Sequence, residues 1–496
     1  MNPGLVAVIL TGLVTLTIGA FGLRLSRTTS DFYVASRSVS PRLNASAISG
    51  EYLSAASFLG VAGLVLAFGV DMIWYPIGWT AGYLLLLVLV AAPLRRSGAY
   101  TIPDFAQVRL QSTAVRRVCA VLVVAIGWLY LLPQFQGAGI TLDVVLGAPS
   151  WVGTSVVAAI VVLSVVAGGM RSITFVQAFQ YWLKLTALLI PLIFLVIVWF
   201  GDGQPRPSAD RSWSVPLGTG DAQSMYVTYS IIIATFLGTM GLPHVVVRFY
   251  TNPDGRAARR TTLIVLAMLA VFYLLPILYG VLGRIYASDL VAAGTSDTVV
   301  LALPGRMLEG TAAAELLVAL LTAGAFAAFL STSSGVTMSL AAVVGQRLAR
   351  DERISSITGL RIAAVVGVLV PWALALVAEP ISVANSVVFA FALAASTFCP
   401  LLVLGIWWRG LTAPGAVAGL VGGGIAAGVA PVLTLATQPD GWLGTLMGQP
   451  AAWSVPVGFA LMIGVSLLTR GSRPSNVSRT MVRLHTPERL ELDRRF

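Results

Sequence analysis

Long apolar stretches follow one another along the whole chain, separated by short segments rich in polar residues, glycine or proline. Thirteen of these stretches reach, or nearly reach, the roughly 20 apolar residues that a membrane-spanning helix needs. Their approximate bounds are 3–23, 44–69, 73–93, 118–146, 151–169, 177–200, 223–249, 261–283, 312–345, 359–377, 383–406, 412–436 and 451–469. The pattern therefore predicts an all-α polytopic membrane protein with about 13 transmembrane helices.

The second span carries polar groups in its middle, which lipid cannot satisfy. It contains Gly50, Glu51 and the serines at 46, 49, 54 and 57. One interpretation is a helix broken in mid-membrane, whose free backbone groups bind ions or solutes in transporters. The alternative is a continuous buried helix whose small residues allow close packing.

The seventh span has a similar interruption, with Thr235 and Thr239 followed by Gly241, Pro243 and His244. It is the fifth span after the second span. An inverted repeat of five plus five helices would place a broken helix first in each half. Residue-level similarity between the halves is weak, so the repeat is inferred from topology.

Composition supports a membrane protein, since 57% of the 496 residues are hydrophobic and 10% are charged. The first apolar run lacks a preceding basic region and is followed by Arg24 and Arg27, so we expect a retained helix and not a signal peptide. Cys119 and Cys399 lie in no metal or redox spacing and are expected to be free thiols.

The net charge is +11, and the basic residues behind it are distributed as the predicted topology requires. With the N-terminus outside and the C-terminus inside, 26 of the 31 Lys and Arg residues fall on the cytoplasmic side and four outside, with Lys184 inside a span. The basic excess is therefore a topology signal. It could also contact anionic lipid, and we expect no nucleic-acid partner.

Several motifs along the chain, taken together, resemble one known family. They are Asp31–Arg37, Gly50–Gly60, Tyr130–Gly139, Gly168–Met170 and Gly241–Phe249. The runs Ser-Ala-Ala-Ser-Phe-Leu-Gly and Gly-x-Pro-His-x-x-x-Arg-Phe are the specific ones. They resemble the sodium/solute symporter family, in particular its cation–acetate symporter branch. The resemblance implies a LeuT-like inverted-repeat fold and secondary active uptake driven by Na+.

On this basis the chain divides into four parts. Residues 1–43 form the first helix and a cytoplasmic linker, and residues 44–406 form the ten-helix transport core. Residues 407–469 add two transmembrane helices, and residues 470–496 form a cytoplasmic tail.

The resemblance also implies a Na+ site between the second and ninth spans. Its ligands are the carbonyls of Gly50, Leu53 and Ala328 and the hydroxyls of Ser331 and Thr332. Oxygen ligands suit this hard cation, and positions 328, 331 and 332 share one helical face. The alternative is that the hydroxyls serve packing or bond to their own helix. Glu51 either takes part in coupling or faces a watery vestibule.

The solute is expected at the midplane, between the two broken helices and the fourth and eleventh spans. The candidate residues are hydroxyl, phenol and amide side chains in these four spans: Ser54, Ser57, Tyr130, Gln134, Thr235, Thr239, Ser396 and Thr397. The matching positions of Thr235 and Thr239 look aromatic in proline-transporting relatives, so the threonines argue against proline. We expect Arg248 to anchor its helix end, Lys184 to extend toward the interface, and His244 to act in packing or as a hinge.

The expected function is Na+-coupled uptake of a small monocarboxylate, such as acetate, propionate or pyruvate, by alternating access in the plasma (inner) membrane. The alternative is a Na+- or H+-coupled symporter of an amino acid or another small neutral solute, because Ser331-Thr332 resembles proline-type relatives. An enzyme is not expected, since the two histidines, His244 and His485, belong to no catalytic constellation. A sensor would need an appended domain, for which the tail leaves no room.

Overall fold

The computed structural model describes residues 2–23, 34–208, 211–217, 220–349, 355–378 and 383–487. Within these ranges the secondary structure is entirely helical, as the apolar pattern predicted. Parts of the sequence-based predictions lie outside the described residues: the basic residues at 24, 27, 350 and 353, motif residues 31–33, and the tail from 488 onward.

The α-helices of five or more residues are numbered here in chain order. They are α1 (Pro3–Leu23), α2 (Pro41–Tyr52), α3 (Val61–Phe68), α4 (Trp74–Leu85), α5 (Ala91–Arg96), α6 (Ile102–Leu110), α7 (Thr113–Leu146), α8 (Ser150–Gly201), α9 (Ala222–Gly241), α10 (Pro243–Val247), α11 (Gly255–Tyr286), α12 (Val299–Met307), α13 (Ala312–Leu348), α14 (Ser356–Val377), α15 (Val383–Trp407), α16 (Ala413–Thr437), α17 (Gly441–Gly448), α18 (Ala451–Leu468) and α19 (Val477–His485). Short turns join some of them, including a π-helical turn at Ala56–Gly60 and 3-10 turns at Gly69–Ile73 and Arg248–Thr251.

Eleven helical stretches in the described residues are long and apolar enough to cross a membrane. Two of these stretches each hold more than one predicted span. Ala56–Arg96 contains the end of the second span and the third, and Ser150–Gly201 contains the fifth and sixth. Within the latter, Gly169 has φ +58° and ψ −165°, a kink that glycine adopts readily because it has no Cβ. The number of spans and the orientation of the termini stay predictions.

Both predicted helix breaks are present. Helix α2 ends at Tyr52, Leu53 is non-helical with ψ 86°, and helical structure resumes at the π-helical turn. The continuous-helix alternative for the second span is therefore wrong. In the seventh span, Leu242 is extended between α9 and α10. Pro243 opens α10, where its fixed φ suits a first helical turn and its missing N–H is not needed.

The broken second span lies in the middle of the bundle, where α2 packs against α8, α11 and α13. Two glycines allow the close approach. A Cβ on Gly50 would collide with the backbone carbonyl of Gln177 in α8, and a Cβ on Gly335 in α13 would collide with the Glu51 side chain. The backbone of the break is thereby held against both helices.

The two helices that follow the core, α16 and α18, pack against each other and against α15. Arg109 of α6 joins the end of α15 to the loop before α16, because it donates to the carbonyl of Gly405 in α15 at 2.8 Å and to that of Trp408 in the loop at 3.0 Å. Burial lowers the pKa of Arg109 to about 10, so the guanidinium stays charged at neutral pH.

Candidate ion and solute site

Lys184 of α8 is completely buried and points into the break of the second span. Its Nζ atom donates hydrogen bonds to the carbonyl of Gly50, to the carbonyl of Leu53 at 2.7 Å and to the Ser331 Oγ atom at 3.0 Å. The expectation that Lys184 extends to the membrane interface is therefore wrong. Its side chain turns inward because α8 packs against both α2 and α13.

The carbonyls of Gly50 and Leu53 can accept from Lys184 because α2 ends at Tyr52, which leaves them without partners in the helix. The last carbonyls of a helix have no partner within that helix, and they form the negative end of its dipole. Leu53 lies just beyond the helix end, and Gly50 lies in its last turn. A positive charge at this point is stabilised by both effects.

The structure brings all five predicted Na+ ligands into one network around this break. Gly50, Leu53 and Ser331 contact Lys184 directly, as described above. The Ser331 hydroxyl donates to the carbonyl of Ala328 at 3.1 Å, and the Thr332 hydroxyl donates to the carbonyl of Glu51 at 2.6 Å. The position between the oxygens of Gly50, Leu53 and Ser331 holds the Lys184 Nζ atom, so in this arrangement the residues do not fit a Na+ ion.

Glu51 forms a buried ion pair with Arg248, with 2.5 Å between Arg248 Nε and Glu51 Oε2. The side chains are 2% and 1% exposed, respectively. Arg248 thus does not anchor a helix end at the membrane interface, and Glu51 does not face a watery vestibule. The expectation for Arg248 and the vestibule alternative for Glu51 were wrong because each side chain was considered without its partner, almost 200 residues away in sequence. A coupling role for Glu51 stays a prediction.

Gln177 connects the ion pair to the lysine site. Its amide oxygen accepts from Arg248, and its amide nitrogen donates to the carbonyl of Ser331 at 2.8 Å. Thr174 also accepts from Arg248, at 3.0 Å. Sequence reasoning missed Gln177 and Thr174, although polar side chains within an apolar span are a signal that could have identified them.

Four of the predicted solute-site residues lie around the two breaks. Ser54 lies close to Tyr130, and the Ser57 hydroxyl lies 2.9 Å from the hydroxyl of Tyr273. Gln134 accepts from the backbone N–H of Ala55 at 3.0 Å. Gln134 therefore satisfies one of the amide groups exposed where the helix resumes.

The two threonines of α9 also lie near this region, but their hydroxyls are used within the protein. Thr239 donates to the carbonyl of Thr235 at 2.7 Å and accepts from the Tyr52 hydroxyl, also at 2.7 Å. Thr235 donates to the carbonyl of Ile231 at 2.7 Å and lies against Gly78 of α4. The interpretation that both hydroxyls face an open solute pocket therefore needs correction.

Ser396 and Thr397 do not lie with the other candidates. The Ser396 hydroxyl is 2.8 Å from that of Ser454 in α18. Thr397 donates to the carbonyl of Leu393 at 2.6 Å, and its methyl group lies beside Gly424 of α16. Ser396 thus contacts α18, and Thr397 contacts α16.

Aromatic side chains pack together near the two breaks, and of these only Tyr130 was predicted from the sequence. The Phe391 ring lies 5.8 Å from Trp79, 6.1 Å from Tyr130 and 6.3 Å from Tyr52, measured between ring centroids. Tyr130 in turn contacts His244, with ring centroids 4.8 Å apart. The rings come from helices distant in sequence, so a single span gave no signal for them.

Several buried polar atoms near this aromatic cluster have no hydrogen-bond partner among the described residues. They are Trp79 Nε1, Tyr83 Oη, Gln134 Nε2 and His244 Nε2. Buried polar atoms are normally paired, because an unpaired one costs about 1–3 kcal/mol. Such atoms therefore suit contacts with a bound polar solute.

A sequence model described as the Sodium:solute symporter family matches residues 32–423. The chain belongs to this family. An uncharacterized symporter, YwcA of Bacillus subtilis, is 30% identical over 471 aligned positions, covering 90% of each chain. The monocarboxylic acid transporter of Corynebacterium glutamicum is 29% identical over 502 aligned positions, covering 88% of this chain and 90% of its own.

Solved structures of transporters share the fold. A Na+-coupled sialic acid symporter superposes with a TM-score of 0.69, 14% identity, and coverage of 93% of this chain and 98% of its own. MhsT in complex with L-phenylalanine superposes with a TM-score of 0.53, also at 14% identity, covering 88% and 98%. These similarities confirm the resemblance stated from the motifs and the LeuT-like fold. The protein is a multi-pass membrane transporter and not an enzyme, and its family implies sodium coupling in general.

Proposed function

We propose that this symporter takes up a small monocarboxylate, such as acetate, propionate or pyruvate, driven by a cation gradient. The observation that carries the solute class is the similarity to the monocarboxylic acid transporter, which extends over nearly the whole of both chains. The buried charges and the unpaired donors near the breaks support the same class.

The charge around the break favours an anionic solute. Of the described residues, the fully buried Lys, Arg, Asp and Glu side chains near the break are Lys184, Arg248 and Glu51, which are two basic groups and one acidic group. A buried charge without a counter-charge is costly in a low-dielectric interior. A monocarboxylate would balance this excess of basic groups, whereas a neutral or zwitterionic solute would not.

The unpaired donors also suit a small carboxylate. The indole N–H of Trp79 and the amide of Gln134 are buried and unpaired among the described residues, and both donate to carboxylate oxygens in suitable geometry. The Phe391 ring between Trp79 and Tyr130 offers an apolar surface for a short alkyl chain. Arg248 is not expected to bind the solute, because its guanidinium already forms an ion pair with Glu51.

Uptake into proteoliposomes tests this proposal. Labelled acetate, pyruvate and proline are each supplied under an imposed Na+ gradient and, separately, under a proton gradient. We expect acetate or pyruvate to accumulate above protein-free liposomes and proline not to accumulate. Proline uptake without carboxylate uptake would contradict the proposed solute class while leaving the symporter fold intact.

A further inference from the structure

The position at which the family resemblance implies Na+ contains a positive charge that belongs to the chain itself. We propose that the Lys184 ammonium is a tethered cation that replaces Na+ at this position, so that the protein does not bind Na+ there. This inference rests on the proposed symporter function only for its consequence for coupling. The occupancy of the site can be measured without any solute.

The hydrogen bonds of Lys184 assign the charged form of the amine. The carbonyl oxygens of Gly50 and Leu53 can only accept. The Ser331 hydroxyl gives its own hydrogen to the carbonyl of Ala328, so it too accepts from Lys184. Three acceptors around one nitrogen match the three N–H groups of an ammonium.

The contacts of Lys184 are those of a cation site and not of an ion pair. Glu51, the nearby buried carboxylate, is engaged by Arg248 at 2.5 Å. Lys184 instead contacts two carbonyls and one hydroxyl, all of them uncharged oxygens. A shell of neutral oxygens at the end of a broken helix is typical of monovalent cation sites in transporters.

The lysine is held in this position by its own helix. Gln177 lies seven residues before Lys184 in α8, hence on the same face, and donates to the backbone of Ser331 at 2.8 Å. The same face of α8 therefore meets both the hydroxyl and the carbonyl of Ser331. Because like charges a few ångströms apart repel strongly in a protein interior, Na+ and this ammonium cannot share the site.

The position filled by Lys184 cannot couple solute uptake to the Na+ gradient. If the site is filled by a side chain, the gradient of Na+ cannot act through it. Any sodium dependence of uptake must then originate at another position. The position is emptied only when the Lys184 side chain withdraws from α2 and α13.

The test is Na+ binding to the purified protein, followed as thermal stabilisation in NaCl compared with KCl at equal ionic strength. We expect Lys184→Ala to be less stable than the wild type in KCl, because three oxygens lose their partner. NaCl should restore part of that stability in Lys184→Ala. The Na+ concentration needed should be roughly a hundredfold or more lower than the concentration at which Na+ has any effect at this site in the wild type. Adding Ser331→Ala to Lys184→Ala should abolish the response, whereas Lys184→Arg, which keeps the charge, should show none.

The proposal would be overturned by a saturable Na+ stabilisation of the wild type that Ser331→Ala removes. It would also be overturned if folded Lys184→Ala gained no response to Na+. If Lys184→Ala does not fold, the wild type and Ser331→Ala alone still decide the question. A wild-type response that survives Ser331→Ala supports the proposal, because it places Na+ elsewhere. Failure of carboxylate uptake would leave all of these outcomes unchanged.

Discussion

Glu51 and Arg248 join the two broken helices through a buried ion pair, with 2.5 Å between the carboxylate oxygen and the guanidinium nitrogen. Glu51 lies in the last turn of α2, just before the first break. Arg248 lies in the 3-10 turn that follows α10, just after the second break. The pair therefore fixes the two halves of the inverted repeat to each other at the breaks.

Breaking this pair from one side should strongly destabilise the protein. Glu51→Gln leaves the Arg248 guanidinium buried without its counter-charge, which typically costs about 3–5 kcal/mol. We expect a markedly lower melting temperature in detergent. The double variant Glu51→Gln with Arg248→Met should recover much of the loss, because it removes both charges.

The matched control is the surface pair Arg306–Asp289, whose side chains are 35% and 63% exposed. Asp289→Asn should leave the melting temperature nearly unchanged, since exposed pairs contribute little. Equal losses in the buried and exposed variants would contradict the role assigned to Glu51.

Gly335 should not tolerate even one added methyl group. A Cβ at this position of α13 would collide with the Glu51 carboxylate, which is already held by Arg248 and cannot move away freely. We expect Gly335→Ala to lose most of the monodisperse protein in size-exclusion chromatography. Gly464→Ala in α18 is the control, because its Cβ would enter open space. Normal yields for both variants would show that the packing at Glu51 is looser than described.

Trp79 should contribute to solute affinity through its indole N–H. Trp79→Phe keeps an aromatic ring beside Phe391 but removes the donor. A hydrogen bond to a charged group is worth about 1.5–3 kcal/mol, so the KM for the carboxylate should rise roughly tenfold or more. Trp128→Phe is the matched control, because its indole N–H is also unpaired among the described residues but the side chain lines a separate cavity with Arg116 and Arg347. A similar KM for the wild type and Trp79→Phe would remove Trp79 from the solute site.

Ser396 should affect stability and not solute affinity. Ser396→Ala removes the hydroxyl contact with Ser454 in α18 and should cost about 1 kcal/mol of unfolding free energy. The KM for uptake should stay at the wild-type value. A raised KM with unchanged stability would return Ser396 to the solute site.

The sequence predicted the helix breaks well because glycine, proline and buried polar groups are local signals. Gly241 and Pro243 marked the second break, and Gly50 with Glu51 marked the first. Such features depend on residues within one or two helical turns. The family resemblance placed the hydroxyls of Ser331 and Thr332 beside the first break, where the structure has them.

The sequence could not predict which side chains meet across the bundle. Ser396 and Thr397 lie in a stretch of α15 that is buried on every side, so no polar face indicates how the helix is rotated. Lys184 was misjudged because its partners are 131 to 147 residues away. The position of its ammonium group depends on how α8 packs against α2 and α13, which is a property of the assembled fold.

The covalent attachment of the Lys184 ammonium changes how occupancy of this position depends on ion concentration. A dissolved ion occupies its site according to its level in the medium, but a group attached to the chain has a constant effective concentration at its partners. In the arrangement proposed here, dilution of the surrounding salt cannot empty the position beside Gly50 and Leu53. Its occupancy then reports the conformation of the protein and is independent of the salinity of the environment.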